Sequence, residues 1–323
     1  MSVIETLSAD EREMAPEAPA PATAGAMKAL LTDERFSDPN WIYERKLDGI
    51  RCIAIRTGAT VKLLSRNDLS QNDRWPELVE ALERDKCDQF VIDGEVVAFE
   101  GSETSFAKLA QRAHHHVPVF YYVFDILWLD GHDVRKLPLR TRKRLLRDAL
   151  EFHGNVRWTQ HRNRDGAAFF KEACRKGWEG LIAKRADSPY VTTRSRDWLK
   201  FKCEHGQELV IGGFTEPRGS RVEFGALLLG YYGDGRLEYA GKVGTGFDTD
   251  TLHDLAERMR KLERKDSPFA DAAEIKERNV TWVEPELVAE IGFTEWTRDH
   301  RLRHPRFQGL RDDKAASEVV REG

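Results

Sequence analysis

The sequence predicts an α+β protein of two domains, in which short strands outnumber helices. From Trp41 to about Lys202, apolar strand-like runs alternate with helical stretches. A second region begins near Glu208, where short strand-like runs are separated by glycine-rich turns and one helix intervenes. Short strands in this arrangement are typical of a small, partly open β-barrel of the OB type.

The predicted elements of the first region each rest on a local pattern. Alternating apolar residues next to turn residues indicate strands, an unbroken apolar run indicates a buried strand, and a proline opens the helix. The elements are a hairpin (51–56 and 61–65), a strand pair (90–99), a buried strand (119–127) and a helix (137–152).

The second region is predicted from the same signals. Its strands are 209–214, 225–232, 237–243, 286–293 and 295–297, with a helix from Thr249 to about Lys265. The predicted domains are therefore residues 26–205 and 206–316, followed by a C-terminal tail at 317–323.

Residues 1–25 form an acidic segment rich in alanine and proline. Five acidic residues against one arginine in this segment account for the net charge of -4, so the rest of the chain is neutral. The segment has little apolar periodicity and is predicted to be disordered. A neutral body can still carry a basic face, so charge alone neither requires nor excludes a nucleic-acid partner.

The composition is that of a globular protein. The chain has 323 residues, 40% of them hydrophobic and 33% charged, which suffices for two domains. The sequence contains neither a signal peptide nor an apolar run of about 18 residues, the length that a membrane-spanning helix needs, so a cytoplasmic location is expected. The four cysteines lack the spacing of a zinc site, and reduced, mostly buried thiols are expected.

The segment from Glu44 to Arg51 combines a lysine with a tight polar turn. It reads Glu-Arg-Lys-Leu-Asp-Gly-Ile-Arg, with Lys46 before the turn. A lysine that has lost its proton can attack phosphorus and carry a nucleotide as a phosphoramidate. Taken alone, the segment fits a surface lysine in a turn equally well.

Three further residues could contact a nucleotide. Arg66 follows a strand and could bind a phosphate or a ribose hydroxyl. Glu95 interrupts an apolar strand, where a ribose hydroxyl or a metal-bound water would satisfy its carboxylate. Phe124 offers a ring for a purine face. Each also has a structural interpretation, namely a surface arginine, a buried ion pair and a core phenylalanine.

Charged residues later in the chain could bind metal and phosphate. Glu179 is a candidate metal ligand. Lys200 and Lys202 lie two apart on a predicted strand and so share a face, where a bound anion would relieve their repulsion, although a solvent-facing strand would also tolerate them. Arg311 and Lys314 are candidates for clamping phosphates, and a charged C-terminal turn is the alternative.

Taken in order, these motifs resemble those of the ATP-dependent DNA ligases. The resemblance spans residues 26–316 and points to the ligase module of bacterial non-homologous end-joining DNA ligases, in a stand-alone form. It implies an ATP-grasp-like nucleotidyltransferase domain followed by a C-terminal OB-fold domain. The segments that carry it are 41–49, 65–67, 93–95, 124–125, 179–184, 200–202, 243–247 and 304–314.

The resemblance also implies a role for each matching residue. Lys46 would accept AMP from ATP, with Mg²⁺ or Mn²⁺ held at Glu179 and Glu95. The AMP would pass to a 5′-phosphate in nicked or broken double-stranded DNA, and a 3′-hydroxyl would displace it to seal the strand. The implied nucleotide contacts are Glu44 (adenine edge), Arg51 and Arg66 (ribose and phosphates), Glu95 (ribose), Phe124 (adenine ring), Lys200 and Lys202 (α-phosphate), and Arg311 and Lys314 (β- and γ-phosphates).

The expected partners follow from the same resemblance. The protein would clamp DNA as a monomer with its two domains or rely on a DNA end-binding protein, at the nucleoid of a bacterium and without a membrane partner. Of two basic runs, residues 140–144 are expected to form a solvated helix face and residues 298–303 to contact DNA. Histidines 114–116 are not expected to hold a metal, because adjacent side chains diverge along a strand.

Two alternative functions stay open at this level. An RNA ligase or a capping-type nucleotidyltransferase shares the C-terminal Arg-x-Asp-Lys pattern, and a capping enzyme would use GTP. A non-catalytic module that binds nicks or DNA ends could use the same two domains. Such a module would be expected to have lost Lys46 or the residues around it.

Overall fold

The computed structural model describes residues 2–32, 34–110, 112, 116–203, 205–217, 222–293, 295–297 and 299–322. The chain divides into two compact units, residues 1–203 and 204–323, close to the boundary predicted at 205/206. Each unit has a hydrophobic core of its own. No helix among the described residues is long and apolar enough to cross a membrane.

Strands dominate the first unit. Its strands are β1 (Lys28–Leu31), β2 (Trp41–Lys46), β3 (Ile50–Thr57), β4 (Thr60–Leu64), β5 (Gln89–Val97), β6 (Phe99–Glu100), β7 (Glu103–Thr104), β8 (Phe120–Leu129), β9 (His132–Asp133), β10 (Val156–Trp158), β11 (His161–Asn163), β12 (Gly180–Arg185) and β13 (Arg194–Lys202). Its helices are α1 (Ala9–Met14), α2 (Pro76–Glu83), α3 (Phe106–Ala110), α4 (Leu139–Ala149) and α5 (Gly166–Arg175), with a 3-10 turn at Val3–Thr6.

Two sheets frame the first unit. Sheet 1 has the strand order β1-β13-β12-β2-β11, and sheet 2 has the order β10-β8-β5-β3-β4 with β9 beside β8. Phe124 of sheet 2 contacts Trp198 of sheet 1 with ring centroids 6.0 Å apart, so the two sheets face each other. The opposite face of sheet 1 packs on α5 through an apolar cluster that includes Tyr43, Phe169 and Phe201.

The observed elements agree with most of the local predictions. The predicted hairpin is present as β3 and β4, the buried strand as β8, and the helix as α4. The predicted strand pair at 90–99 is instead one strand, β5, which pairs with β3 on one side and β8 on the other. Its Asp-Gly pair resembles a turn signal, but Gly94 lies inside the sheet, where a Cβ atom would come within 2.5 Å of the Tyr121 ring.

The N-terminal segment differs from the predicted disorder. A 3-10 turn and α1 cover residues 3–14, and Ile4 and Leu7 join the core of the first unit. The indole of Trp128 donates to the carbonyl of Ala18 at 2.7 Å. A few apolar side chains and backbone hydrogen bonds are enough to hold a short polar segment on an existing core, and periodicity does not detect them.

The cysteines also differ from the prediction of reduced thiols. Cys174, at the end of α5, and Cys203, after β13, form a disulfide, whereas Cys52 and Cys87 are free. The two bonded cysteines are 29 residues apart in sequence, but their Cα atoms are only 5.3 Å apart. That proximity results from the packing of α5 on sheet 1, which residue spacing does not reveal.

Over its described residues, the second unit contains a bent sheet and one α-helix. Strand β14 pairs with β15 along its C-terminal half, with β19 along its N-terminal half and with β18 at its end, so the sheet folds back around the core. The strands are β14 (His205–Thr215), β15 (Leu227–Gly233), β16 (Arg236–Val243), β17 (Glu263–Arg264), β18 (Val280–Val283), β19 (Val288–Phe293), β20 (Glu295–Trp296), β21 (Leu302–Arg303) and β22 (Arg306–Leu310), and the helix is α6 (Thr249–Arg260).

The C-terminal residues pack on this sheet rather than forming a separate tail. Val319 is buried in the core, and its carbonyl accepts from the backbone N–H of Tyr232 at 2.7 Å. The backbone N–H of Glu322 donates to Gln207 at 3.0 Å. The segment therefore belongs to the second unit through residue 322.

Candidate active site

The register of sheet 1 places four predicted residues on one face. Lys46 of β2 and Lys202 of β13 both lie opposite Gly180 of β12. Glu44 and Lys200 occupy the next positions of the same face, two residues along β2 and β13. Directly opposed residues in antiparallel strands project to the same side, so all four side chains face sheet 2.

Lys46 has an acidic partner on this face. It ends β2, and its Nζ forms an ion pair with Oε1 of Glu179. The next residue, Gly180, has a φ of 148°, and a Cβ atom there would lie 1.8 Å from the carbonyl oxygen of Phe201. Glycine therefore allows β12 to begin directly beside β13 with Glu179 next to Lys46. Both partners are partly exposed, so a substrate can reach them.

Glu44 lies deeper, between two lysines. Its Oε1 accepts from Nζ of Lys143 at 2.5 Å, and its Oε2 lies 2.6 Å from Nζ of Lys184. Nζ of Lys143 also lies near the carbonyls of Phe124 (3.4 Å) and Thr159 (3.3 Å). The Glu44 residue is only 2% exposed, so the three charges form a buried cluster.

Burial and mutual charge set the protonation of this cluster. Burial alone would raise the pKa of Glu44, but the two ammonium groups overcome it and hold that pKa below its ordinary value. Burial lowers the pKa of Lys184 to about 8, against the opposing attraction of Glu44. Burial, aided by the charge of Lys143, lowers the pKa of His161 to about 4, so this imidazole is neutral near pH 7.

Arg51 is held by a carboxylate that the sequence did not single out. Its Nε and one Nη each donate to Asp93 at 2.5 Å, and the hydroxyl of Tyr190 donates to the same carboxylate at 2.7 Å. The guanidinium lies 4.6 Å from the centroid of the Phe124 ring. Arg51 is thus oriented beside Phe124 before any ligand binds.

Phe124 and Glu95 line sheet 2 opposite the lysines. The Phe124 ring is mostly buried, with Nζ of Lys184 4.1 Å from its centroid. Glu95 lies directly opposite Arg51 in the pairing of β5 with β3. Arg66 lies farther along sheet 2, in the turn that follows its edge strand β4. The roles assigned to these residues stay predictions.

The C-terminal pair lies in an ion-pair network of the second unit. Arg311 donates to both carboxylate oxygens of Asp313, at 2.9 and 3.0 Å, and to Glu290 at 3.0 Å. Nζ of Lys314 lies 2.9 Å from Glu208. Burial opposes the charge of Arg311, but Asp313 and the neighbouring carboxylates raise the pKa of the guanidinium well above its ordinary value. Both side chains are therefore anchored within their own unit.

Glu179 can still serve as a metal ligand. Its Oε2 is buried and has no hydrogen-bond partner among the described residues, which leaves an anionic oxygen available next to Lys46. Mg²⁺ is commonly held by one or two carboxylates together with substrate phosphates. No group of three or more His, Cys, Asp or Glu residues that could hold a metal occurs within the described part of the chain. The donor set therefore fits a cation shared with a substrate rather than a cation held by protein alone.

The first basic run differs from the predicted solvated helix face. Residues 140–144 were expected to form a solvated helix face, but Arg142 is fully buried in an ion pair with Asp125, with contacts of 2.7 and 2.9 Å. Lys143 is buried against Glu44. Only Arg140 and Arg144 lie on the outer side of α4. The sequence of this run does not show which of its basic side chains form an ion pair with a buried carboxylate.

The second basic run is partly structural. Arg301 donates to the carboxylates of Asp271 (2.9 Å) and Glu274 (3.2 Å) and to the carbonyl of Tyr239. It therefore anchors its loop, and the DNA contact expected of this run stays a prediction. Arg298 lies outside the described residues, as do His114 and His115 of the histidine triplet.

Sequence reasoning missed the residues that hold the predicted ones in place. Lys143 and Asp93 fix Glu44 and Arg51, and Lys184 completes the buried cluster. The only signals were an Asp two residues before Glu95 and a Lys at the end of the 179–184 motif. Lys143 had no signal beyond its place in a basic run.

Two family models and a solved structure match this chain. A family model described as the ATP-dependent DNA ligase domain matches residues 21–202, and one described as the ATP-dependent DNA ligase C-terminal region matches residues 220–314. A solved structure described as mycobacterial DNA ligase D complexed with ATP and MES is 34% identical, with a TM-score of 0.69, and the match covers 92% of this chain and 98% of that chain.

Two curated relatives are longer proteins. The multifunctional non-homologous end joining protein LigD of Pseudomonas aeruginosa is 37% identical over 291 residues, which is 87% of this chain and 35% of that protein. The protein of the same name from Mycolicibacterium smegmatis is 36% identical over 320 residues, which is 97% of this chain and 41% of that protein. The matches confirm the predicted fold, a nucleotidyltransferase domain followed by an OB-fold domain.

Proposed function

Because the chain belongs to the family of ATP-dependent DNA ligases, we propose that Lys46 takes AMP from ATP and that the lysyl-AMP then seals breaks in DNA. One observation carries the proposal. Lys46 is paired with Glu179 on the face of sheet 1 that also bears Lys200 and Lys202. Lys46 would be the nucleophile, Glu179 the acidic group, and the two further lysines the cations close to it. Phosphoryl transfer requires such groups to be held close together.

Each step exchanges one bond at phosphorus. The deprotonated Nζ of Lys46 attacks the α-phosphorus of ATP, an N–P bond forms, and the bond to pyrophosphate breaks. A 5′-phosphate oxygen of DNA then displaces the lysine and receives AMP. A 3′-hydroxyl finally attacks the DNA phosphate and releases AMP. Lys200 and Lys202 offset the negative charge that builds up on the phosphate oxygens.

The proposed nucleotide site lies between sheets 1 and 2. Glu44 would face the base edge and Phe124 the base ring, while Arg51, Arg66 and Glu95 would serve the ribose and phosphates. The support is that Glu44 shares a sheet face with Lys46 and that Arg51 is oriented beside Phe124. In the second unit, Arg311 and Lys314 would bind the β- and γ-phosphates in the first step, which requires them to exchange their carboxylate partners.

A divalent metal belongs to the proposal as well. Glu179 would hold Mg²⁺ or Mn²⁺ through its available Oε2, with Glu95 as a further acidic group. When bound, the cation would neutralise phosphate charge. The role of the chain is to supply the carboxylate and to hold Lys46 beside it.

The proposed substrate is double-stranded DNA with 5′-phosphate and 3′-hydroxyl ends, joined in the course of non-homologous end joining. Support comes from the LigD relatives, which are named as multifunctional non-homologous end joining proteins and of which this chain spans about two fifths or less. We also propose that the protein acts as a monomer at the bacterial nucleoid, with or without an end-binding protein.

The test is covalent labelling with α-labelled ATP or GTP and Mg²⁺ or Mn²⁺, followed by denaturing electrophoresis. Wild-type protein is expected to retain label from ATP, and Lys46→Ala and Lys46→Arg are expected to retain none. Lys171→Arg, an exposed substitution on α5, is the matched control and should label like the wild type. Labelled protein incubated with nicked DNA should lose its label and seal the nick.

Other outcomes would redirect the assignment. Labelling from GTP would indicate a capping-type enzyme, and transfer to RNA ends alone would indicate an RNA ligase. If wild-type protein remains unlabelled after pyrophosphate has removed any bound AMP, the catalytic proposal fails.

A further inference from the structure

Resting on the proposed reaction of ATP at Lys46, we infer that Thr159 and His161 bind the polar edge of the nucleotide base. They lie where the chain crosses from one sheet to the other. Strand β10 pairs with β8 of sheet 2, and β11 pairs with β2 of sheet 1. Residues 159–160 connect β10 to β11 and therefore close one end of the space between the sheets.

The contacts of Thr159 show that this closed end lies next to Glu44. The backbone N–H of Thr159 donates to Val123 at 2.9 Å, and its carbonyl lies 3.3 Å from Nζ of Lys143. The same ammonium lies 2.5 Å from Glu44. His161 lies directly opposite Glu44 in the pairing of β11 with β2. Thr159 and His161 therefore flank the buried carboxylate from two sides.

Both side chains carry a buried polar atom that no described residue satisfies. Oγ1 of Thr159 and Nδ1 of His161 make no hydrogen bond within the described part of the chain. The Thr159 residue is only 4% exposed. Buried polar groups are nearly always paired, because an unpaired one has lost its hydrogen bonds to water without replacement. Two such atoms beside one carboxylate indicate a polar ligand.

The dimensions suit the base of a nucleotide held at Lys46. Glu44 and Lys46 are two residues apart on one strand, which separates them by about 7 Å along β2. A nucleotide whose α-phosphate lies at Lys46 can therefore direct its base toward Glu44 and the closed end. A threonine hydroxyl and a neutral imidazole can each donate or accept, so both can meet the ring nitrogens and the amino group of adenine. Glu44 only accepts, which favours the 6-amino group of adenine over the 6-oxo group of guanine.

The test compares two nucleotides and a small set of variants in the first step of the reaction. Nucleotidyl-enzyme formation is followed by intact-protein mass spectrometry with ATP and with benzimidazole riboside triphosphate, whose two-ring base lacks the polar edge. Thr159→Val replaces the hydroxyl by a methyl group of similar size. Thr60→Val makes the same change at an exposed position of β4.

Thr159→Val is expected to raise KM for ATP about threefold to tenfold, as the loss of one hydrogen bond implies, with little change in the maximal rate. KM for the benzimidazole analogue should stay at the wild-type value. The melting temperature should not fall, because the substitution removes an unpaired buried hydroxyl. Thr60→Val should match the wild type in every measurement, and His161→Phe should repeat the ATP-selective rise in KM.

A second pair of variants guards against a folding defect in Thr159→Val. Thr159→Ser and Thr159→Ala both lose the methyl group, but only the alanine loses the hydroxyl. The serine variant should keep KM for ATP near the wild-type value, and the alanine variant should not.

Equal KM values for ATP in the serine and alanine variants, or an equal rise for ATP and the analogue, would overturn the inference. If the wild-type protein forms no adduct with ATP, the proposed function itself fails. That outcome is distinct from an active wild type whose KM is insensitive to Thr159.

Discussion

At the residue scale, the cluster of Glu44, Lys143 and Lys184 places two ammonium groups on one carboxylate inside the first unit. Charges taken out of water are costly unless each has a partner. The carboxylate serves both lysines, whereas each lysine has only one carboxylate among its described contacts. Substitutions within the cluster should therefore differ in their effect on stability.

We expect Glu44→Gln to lower the free energy of unfolding by about 3–5 kcal/mol, because it leaves two buried ammonium groups without a counter-charge. Lys143→Met should cost less, about 1–3 kcal/mol, since Glu44 keeps Lys184. Urea unfolding measures both values. Glu80→Gln, in an exposed ion pair with Arg84, is the control and should cost less than about 1 kcal/mol. The reverse order of the two cluster variants would contradict the assigned pairing.

His161 should make stability depend on pH in weak acid. Its pKa is depressed from 6.5 to about 4 by folding, so the unfolded chain binds more protons between these values. Stability therefore rises with pH across this window and is lost as pH falls from about 6.5 to 4. The imidazole is partly solvated, and screening reduces the effect to about 1–2 kcal/mol.

The measurement is urea unfolding from pH 4 to pH 7. His161→Asn is expected to flatten the pH slope relative to the wild type, and His153→Asn, which changes an exposed histidine, serves as the control. An unchanged slope in His161→Asn would show that another group causes the dependence.

At the scale of elements, the N-terminal segment acts as part of the first unit rather than as a tail. Glu11 of α1 accepts from the hydroxyl of Thr141 at 2.7 Å, and Arg144 donates to Thr6 at 2.8 Å. These contacts tie the segment to α4, the helix that carries Lys143 on its inner side. The N-terminal segment therefore contacts the same helix, α4, that contributes Lys143 to the buried charge cluster.

Leu7→Ala tests this placement. Leu7 is 2% exposed, and removing its side chain should lower the free energy of unfolding by about 2–3 kcal/mol. A disordered tail would predict no change. Leu69→Ala is the matched control, because Leu69 is 55% exposed and should contribute little. The comparison requires only urea unfolding of three proteins.

At the scale of the whole molecule, the chain divides after residue 203 into two units with separate cores. The proposed nucleophile Lys46 lies in the first with Lys200 and Lys202, and Arg311 and Lys314 lie in the second. The comparisons place the chain in the family of ATP-dependent DNA ligases. Domains with cores of their own generally unfold as separate units.

Calorimetry should resolve two transitions. Leu82→Ala removes a fully buried side chain from the first core and should lower one transition by about 5 °C or more. Ile291→Ala makes the same kind of change in the second core and should lower the other. A single transition that both substitutions lower equally would indicate one cooperative structure.

The sequence by itself determined the two-domain α+β architecture, the family and the face that Lys200 and Lys202 share. These features follow from local pattern, since the strand periodicity of two places alternate residues on one side. That Lys46 shares this face was decided by the pairing of β12 with both β2 and β13. The strand pair predicted at 90–99 is largely one strand, β5, in which Gly94 allows close packing on Tyr121.

Tertiary structure alone decided which charges are buried, which cysteines meet and how the terminal segments pack. Arg142 and Lys143 are neighbours of exposed arginines on one helix, yet each finds a carboxylate supplied by a distant strand. Thr159 and His161 carry no motif, and their unpaired atoms become evident only when two sheets face each other. Burial depends on contacts between segments far apart in the chain, and local sequence does not record them.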